Sequence, residues 1–396
     1  MAVVQHPSQE PASHSGLSNE RTDGTTRRLR VAIVAPSLRY VGGQSVQAEL
    51  LLRHWEGDPD VQASFIPVDP LFPPGLRWVR RVPVLRTVIR TPFYLVGLWR
   101  GLRDADIAHI FSASYSSFLV APFPAWLVAK MRGKQTLINY HSGEARNHLR
   151  GSRFARAVLK RADGIMTPSG FLVDVFREFG LVAEPVPNIV DITQFSFRER
   201  GLLQPHLVCT RGFHPYYCID VVVKAFAQVK KEFPAAQLDL VGAGQIEPDI
   251  RRLVAHLKLS GVNFCGVASR ETIGRFYDQA DIFINASRLD NMPVSVLEAF
   301  ASGTPVISTS PDGMRYLVEH GRTGLLSEVG DPATLAENVL RVLRDPQLAR
   351  HLSSNAFEEL RRYRWETVRE QWLLAYRRLL PAETELEKES LVGTST

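Results

Sequence analysis

The chain has 396 residues, more than one ordinary hydrophobic core accommodates, so two domains are expected. A composition of 45% hydrophobic and 22% charged residues is that of a globular protein, and a formal charge of +6 favours anionic partners while being too mild to imply nucleic acid. Three cysteines, Cys209, Cys218 and Cys265, form neither a paired framework nor a metal-ligand spacing, which suits a reducing cytoplasm.

Residues 1–27 are polar, lack the apolar run of a secretory signal and read as a disordered tail. A strand over 30–35 leads to Gly42, Gly43 and a helix over 44–55. The glycines serve either a close backbone approach or a plain strand–helix turn. No acid occurs from 70 to 103, and within 73–103 Arg77, Arg80, Arg81, Arg86, Arg90, Arg100 and Arg103 alternate with apolar and aromatic residues. That interleaving suits a segment lying on an anionic membrane, and equally a helical excursion whose arginines are solvated or meet an anionic acceptor. Pro83 and Pro92 are expected to break it. Asp104-Ala105-Asp106 precedes a strand at 107–111 and reads as a polar turn, with no metal cluster elsewhere. The apolar run 118–129 is too short to span a bilayer and is expected as a buried helix. A strand over 136–140 ends at His141, and Glu144 is placed either to orient that histidine or to cap the next helix.

A second series follows the proline-marked stretch 184–195 and a linker near 190–205. It has strands at 206–210, 237–241, 281–285 and 305–309, helices at 221–233 and 294–302, a final helix over 365–380 and a polar tail at 382–396. Short strands separated by helices specify parallel sheets with right-handed crossovers, hence two doubly wound α/β domains facing each other. Ligands of such sheets bind outside the carboxyl ends of the strands.

One such end carries "RLDNMPVSVLEAFASGTPV", residues 288–306. Pro293 fits the first position of the helix, Gly303 its close, and the backbone N–H groups around 292–295 make an anion site. Asp290 lies in the loop beside that site, and Glu298 is about a turn and a half into the helix, within reach of vicinal hydroxyls such as those of a ribose. A carboxylate at each end of an anion pocket suits a nucleotide-sugar.

The stretch from Asp290 to Val306 resembles the acid-x7-acid signature of the retaining glycosyltransferases of family 4, which have the GT-B fold. The likeness extends over most of the chain. "GGQSVQAELLLRHW" (42–55) is similar to that family's glycine-rich first turn, "NYHSGE" (139–144) to its histidine-bearing strand end, and "PNIVDITQF" (187–195) to its interdomain segment. "TRGFHPYYCIDVVVKAF" (210–226) resembles the basic segment, and "VGAGQ" (241–245) and "FCGVAS" (264–269) resemble further donor-side turns. The resemblance implies His141, Asp290 and Arg211 as catalytic residues. It implies donor contacts from Gly43, Arg211, Gly242, Gly244, Val267, Asn291, Met292, Pro293, Val294 and Glu298. Two positions depart from the family pattern: Asp290 stands where glutamate is usual, and Tyr217-Cys218 stand where lysine-glycine is common. Lys224 and the helix dipole are the available substitutes for that lysine.

The expectation is therefore a GT-B protein with two Rossmann-like doubly wound parallel-sheet domains about a central cleft. An acceptor-side domain takes 28–190, a nucleotide-sugar-binding domain 191–364, and the helix 365–381 is a candidate to return to the first domain. The implied reaction moves a sugar from a nucleotide-sugar, a UDP-sugar first of all, to an acceptor hydroxyl with retention. No cofactor or metal is expected. The acceptor is a glycan or a lipid-linked molecule of cell-envelope or exopolysaccharide synthesis, met in the cytoplasm or at the inner face of the membrane, with peripheral contact through 73–103. The alternatives are a nucleotide-sugar-binding protein that has lost transfer and a GT-B sugar-nucleotide epimerase. A dehydrogenase is disfavoured because "VGAGQ" lacks the third glycine of a dinucleotide fingerprint.

Overall fold

The computed structural model describes residues 27–37, 43–71 and 83–380. The tails expected at 1–27 (all but Arg27) and 382–396, Gly42, and the 73–82 part of the arginine-rich segment, including Arg77, Arg80 and Arg81, lie outside them.

The first domain runs β1 (Leu29–Ala35), α1 (Gly43–Trp55), β2 (Val61–Pro67), α2 (Pro83–Gly101), β3 (Ile107–Ser112), α3 (Tyr115–Val120), α4 (Pro122–Met131), β4 (Gln135–Tyr140), α5 (Ala145–Gly151), α6 (Arg153–Leu159), β5 (Gly164–Thr167), α7 (Gly170–Glu178) and β6 (Glu184–Pro185). Its strands form one parallel sheet in the order β2-β1-β3-β4-β5-β6. The second domain runs β7 (His206–Cys209), α8 (Ile219–Glu232), β8 (Gln237–Val241), α9 (Glu247–His256), β9 (Val262–Gly266), α10 (Arg270–Gln279), β10 (Ile282–Asn285), α11 (Val294–Ala301), β11 (Val306–Thr309), β12 (Leu325–Ser327), α12 (Pro332–Arg344) and α13 (Pro346–Glu359). Its sheet is also parallel, in the order β12-β11-β10-β7-β8-β9. These are the two facing doubly wound sheets expected.

Topology fixes where ligands can sit. Strand order reverses between β1 and β3 in the first sheet and between β7 and β10 in the second. At each reversal the flanking crossovers leave in opposite directions and open a crevice beyond the carboxyl ends. The central strands read as continuous apolar runs, β1 as LRVAIVA and β10 as IFIN, because helices cover both faces.

After a 3₁₀ turn over Leu360–Tyr363, α14 (Trp365–Leu379) packs on the first domain. Trp372 and Tyr376 are buried among β1 and α1 residues, and the Tyr376 hydroxyl lies 2.8 Å from His109 Nδ1. Arg369 grips Asp58 and Asp60 beside it. Within the first domain, Gln47 of α1 holds the segment that leads out to the second: its side-chain amide exchanges two hydrogen bonds with the Ile189 backbone (2.9 and 2.7 Å).

Several elements differ from the sequence reading. Residues 118–129 are not one buried helix: the chain breaks at Ala121–Pro122 into α3 and α4, and Leu119, Val120 and Leu127 face outward. Pro92 does not break α2, which continues through it over 19 residues, and Pro83 is its first residue. A proline costs one intrahelical bond, which this half-buried helix tolerates through its packing. Asp106 belongs to the architecture, accepting from the Arg30 backbone (2.9 Å) and pairing with its guanidinium.

Candidate active site at the interdomain cleft

The loop after β10 and the loop after β7 meet at the second sheet's switch point. Arg211, just beyond β7, is 9% exposed in its side chain and pairs with Asp290, which is 11% exposed, in the loop after β10. A second guanidinium nitrogen donates to Ser295 Oγ at 3.1 Å, in the first turn of α11. The guanidinium carbon sits 3.9 Å from the centre of the Tyr217 ring, so that ring carries a cation–π contact where the family pattern has a lysine. Arg211 Nε is buried without a partner. Burial raises the Asp290 carboxyl, and Arg211 opposes that shift.

The helix itself begins at Val294, with Pro293 at the capping position (φ −68°, ψ 120°) and not inside the first turn. The Val294 and Ser295 N–H groups have no partner four residues earlier, as in any first helical turn. Glu298 occupies the next turn, and its Oε2 lies 2.8 Å from the Tyr277 hydroxyl. That hydroxyl is also 2.6 Å from Thr210 Oγ1 and 3.0 Å from the Ser295 carbonyl. Burial lifts the Glu298 carboxyl above its ordinary range, and the Tyr277 hydrogen bond opposes the shift.

Glycines let the loops close this tightly. Gly242 has φ +156°, and a Cβ there would stand 2.2 Å from the Arg211 carbonyl oxygen, while one at Gly244 would meet the Phe213 carbonyl at 2.4 Å. Both hold the loop after β8 against the Arg211 loop, a packing role that supports the site from behind. Gly313 does the same from the loop after β11: a Cβ would fall 2.4 Å from the Asn291 carbonyl. Gly43 is different. A side chain there would meet nothing within 4 Å, so packing does not require the glycine. Val267 follows β9 and is 62% exposed at the surface.

His141 directly follows β4 in the opposite domain. Its backbone N–H bonds to the Ser112 carbonyl, its ring stacks on Phe111 (centroids 5.1 Å apart), and its Nε2 is buried without a partner. Burial pushes its basicity down to about 3, so the ring is neutral at physiological pH. Two residues on, a Cβ at Gly143 would touch Leu289 (3.5 Å) and the Asp290 backbone (3.7 Å). The His141 loop therefore lies against the Asp290 loop.

Other expected residues have different employment. Asn291 accepts from Ser169 Oγ across the domain boundary, and the Met292 carbonyl accepts from Asn188 Nδ2 at 3.2 Å, so these two join the domains. The Asp290 carboxylate is turned to Arg211 within its own domain. Lys224 cannot replace the missing lysine, because it is paired with Asp220 on the exposed face of α8. Glu144 occupies the N-cap position of α5 without a side-chain cap bond, and its side chain engages the Tyr115 hydroxyl. Tyr277, Ser295, Thr210 and Gly313 were missed. Ser295, inside the acid-x7-acid stretch, and Thr210, at the head of the basic segment 210–226, were signposted by their neighbours.

Comparison with known proteins agrees on both domains. Residues 38–194 match the model of Glycosyltransferase Family 4, and residues 204–345 match that of Glycosyl transferases group 1. Over 207 residues the chain is 29% identical to N-acetyl-alpha-D-glucosaminyl L-malate synthase of Bacillus anthracis, covering 51% of this chain and 53% of that protein. It is 27% identical over 220 residues to phosphatidyl-myo-inositol mannosyltransferase of Mycobacterium leprae, covering 53% and 58%. The chain thus spans about half the length of these curated relatives. Among solved structures, sucrose-phosphate synthase from Thermosynechococcus elongatus superposes with a TM-score of 0.71 at 21% identity, over 89% of this chain and 99% of that one. Anabaena HepE in complex with UDP-glucose gives 0.67 at 15% identity, over 89% and 100%. With a family match in each domain and two facing sheets of this topology, the chain falls among the glycosyltransferases of the GT-B fold.

Proposed function

We propose that the protein is a retaining glycosyltransferase of the family 4 type, moving a sugar from a UDP-sugar to an acceptor hydroxyl in cell-envelope glycan synthesis at the cytoplasmic face of the membrane. The observation that carries this reading is the cluster at the β7/β10 switch point. A buried arginine is held there between Asp290 and the first turn of α11, and His141 with its unpartnered Nε2 stands across the cleft. HepE, which shares the fold, is seen with UDP-glucose, and the Mycobacterium leprae relative is a mannosyltransferase by name.

In this reading the donor diphosphate lies against Arg211 and the N–H groups of Val294 and Ser295. Positive charge fixed in a water-poor site stabilises the departing nucleotide, an electrostatic and metal-free strategy. Glu298 accepts from the ribose hydroxyls. Neutral His141 and the Asp290 carboxylate hold hydroxyls of the transferred sugar. The bond from the anomeric carbon to the phosphate oxygen breaks as the bond to the acceptor oxygen forms on the same face, and the acceptor proton passes to the leaving phosphate.

The test measures UDP binding by calorimetry and release of UDP from UDP-glucose by wild type, His141→Ala and Arg211→Ala. The expected pattern is UDP binding by wild type and His141→Ala, with release lost in both variants. A folded wild type that binds no nucleoside diphosphate overturns the reading.

A further inference from the structure

Helix α2 has two apolar faces. Tyr94, Leu98 and Leu102, on it and just after it, are buried in the first domain. On its other side Val96 and Trp99 are 48% and 47% exposed. Leu119 and Val120 of α3 and Met131 of α4 are exposed as well, and Arg132 lies 4.2 Å over the Trp99 ring, joining the outer face of α2 to the end of α4. Single exposed apolar residues need no explanation, but a contiguous set does.

Charge says what covers it. Residues 83–134, from the start of α2 to the turn after α4, hold 7 Lys and Arg against 2 Asp and Glu, leaving 40 against 39 for the rest of the chain. Nearly all of the protein's basic excess resides in the segment that builds this face. No acid occurs between Asp106 and Glu144. An apolar, aromatic centre with a basic surround complements a bilayer of anionic lipid, where rings sit among headgroups and arginines meet phosphates. Among the described residues no helix is long and apolar enough to cross a membrane, so contact through this face is peripheral.

A cavity opens in the same region. About 320 Å³ in volume, it lies at the β1/β3 switch point between α2 and α3, with Pro36, Gln44, Tyr94, Phe111, Ala113 and Val120 among its walls. Val120 is both cavity wall and exposed surface, at 46%. Phe111, another of its walls, is the ring on which His141 stacks. The cavity therefore leads from the apolar face toward the cleft.

We infer that the outer face of α2 with the adjoining parts of α3 and α4 docks on an anionic lipid surface, and that the cavity mouth at Val120 faces the bilayer. Given the transferase reading above, the acceptor is then a membrane-held amphiphile whose polar head enters the cavity while its apolar part stays in the lipid.

The test uses the full chain and vesicles of phosphatidylcholine with or without phosphatidylglycerol, sedimented at low and high salt. Wild type should partition onto anionic vesicles and be released by salt. The double variants Val96→Asp/Trp99→Asp and Arg100→Glu/Arg103→Glu should each bind at least tenfold less, with unchanged circular dichroism. An environment-sensitive dye on Val120→Cys, in a Cys265→Ser background, should shift to the blue on anionic vesicles, while the same dye on Val329→Cys in the second domain should not. Sedimentation that is absent, indifferent to lipid charge, or unaltered in the double variants overturns the docking. So does a wild-type dimer in gel filtration that the Val96→Asp/Trp99→Asp change dissociates without any vesicle binding. A silent Val120 dye with vesicle binding intact overturns the orientation. UDP binding measured in the same samples separates the two readings: vesicle binding lost with UDP retained sinks the docking alone, and the reverse sinks the donor assignment alone.

Discussion

The two carboxylates of the cleft are buried alike but partnered differently, so neutralising each should have opposite consequences for stability. Glu298 has no cation within salt-bridge distance among the described residues; it accepts from the Tyr277 hydroxyl at 2.8 Å. Its folded-state carboxyl is raised by burial, so the folded protein binds that proton more readily than the unfolded chain. Stability then falls as pH rises from the ordinary carboxylate value, about 4.3, through the raised one, and at neutral pH the ionised group is a cost. Glu298→Gln removes the charge, and its amide oxygen still accepts from Tyr277. The melting temperature should therefore hold or rise. UDP affinity should fall by about 1.5–3 kcal/mol, the range for a hydrogen bond to a charged group, or roughly 10- to 150-fold. Asp290→Asn, by contrast, strips Arg211 of its ion-pair partner and leaves a buried guanidinium with Ser295 and Tyr217 only. Breaking such a pair from one side costs about 3–5 kcal/mol, so this variant should melt well below wild type. Calorimetric melting and UDP titration of both variants read the contrast. A Glu298→Gln protein that is destabilised yet binds UDP as wild type does would refute the reasoning on both counts.

Burial pushes His109 and His141 down to about 3, so the unfolded chain takes up protons first as pH falls below about 6.5. Stability is full above that value and is lost toward pH 3, each ring costing about 2 kcal/mol at pH 5. A His109→Gln variant should lose less melting temperature between pH 7.5 and pH 5 than wild type does. Gly313→Ala places a methyl 2.4 Å from the Asn291 carbonyl and should displace the Asp290 loop, weakening UDP binding about tenfold in a folded protein; unchanged affinity shows that the loop yields elsewhere. Arg270 pairs with Glu49 of α1 and with Asp191, bridging the domains. Arg270→Ala should enlarge the radius of gyration in X-ray scattering with at most about 1 kcal/mol lost in stability, and an unchanged scattering curve means the remaining contacts suffice.

What the sequence made legible follows how strongly local pattern constrains structure. Buried central strands such as β1, β3 and β10 are continuous apolar runs bounded by turns, and they were placed within a residue or two. The strands left unread were short or peripheral. β9, VNFCG, is an edge strand whose residues are half open to solvent, and β12 has three residues. β2 alternates buried and exposed positions at the opposite edge of the first sheet. Edge strands bury too little apolar surface to leave a run in the sequence. Helix breaks were misjudged in both directions for one reason. Proline at 122 begins a new helix, while proline at 92 rides inside one, and only tertiary packing distinguishes them.

The site shows the same division. Acid spacing and a following helix were enough to bring Asp290 and Glu298 to one strand end, because strand, loop and helix are contiguous there. Direction was not legible. Asp290 turns to Arg211, 79 positions away in sequence, because the β7/β10 reversal makes those two loops neighbours, and a buried carboxylate takes the nearest fixed cation. Tyr277 reaches Glu298 from α10, a helix whose sequence carries no feature of a site. Gly313 was invisible for the complementary reason: its role is the absence of a side chain where another loop's backbone passes. Residues that touch a ligand tend to sit in recognisable stretches, whereas those that aim them are recruited from wherever the topology brings the chain. In this protein the cleft is assembled by two strand-order reversals facing each other, so the placement of its two carboxylates was readable from one stretch of 19 residues and their orientation only from the whole fold.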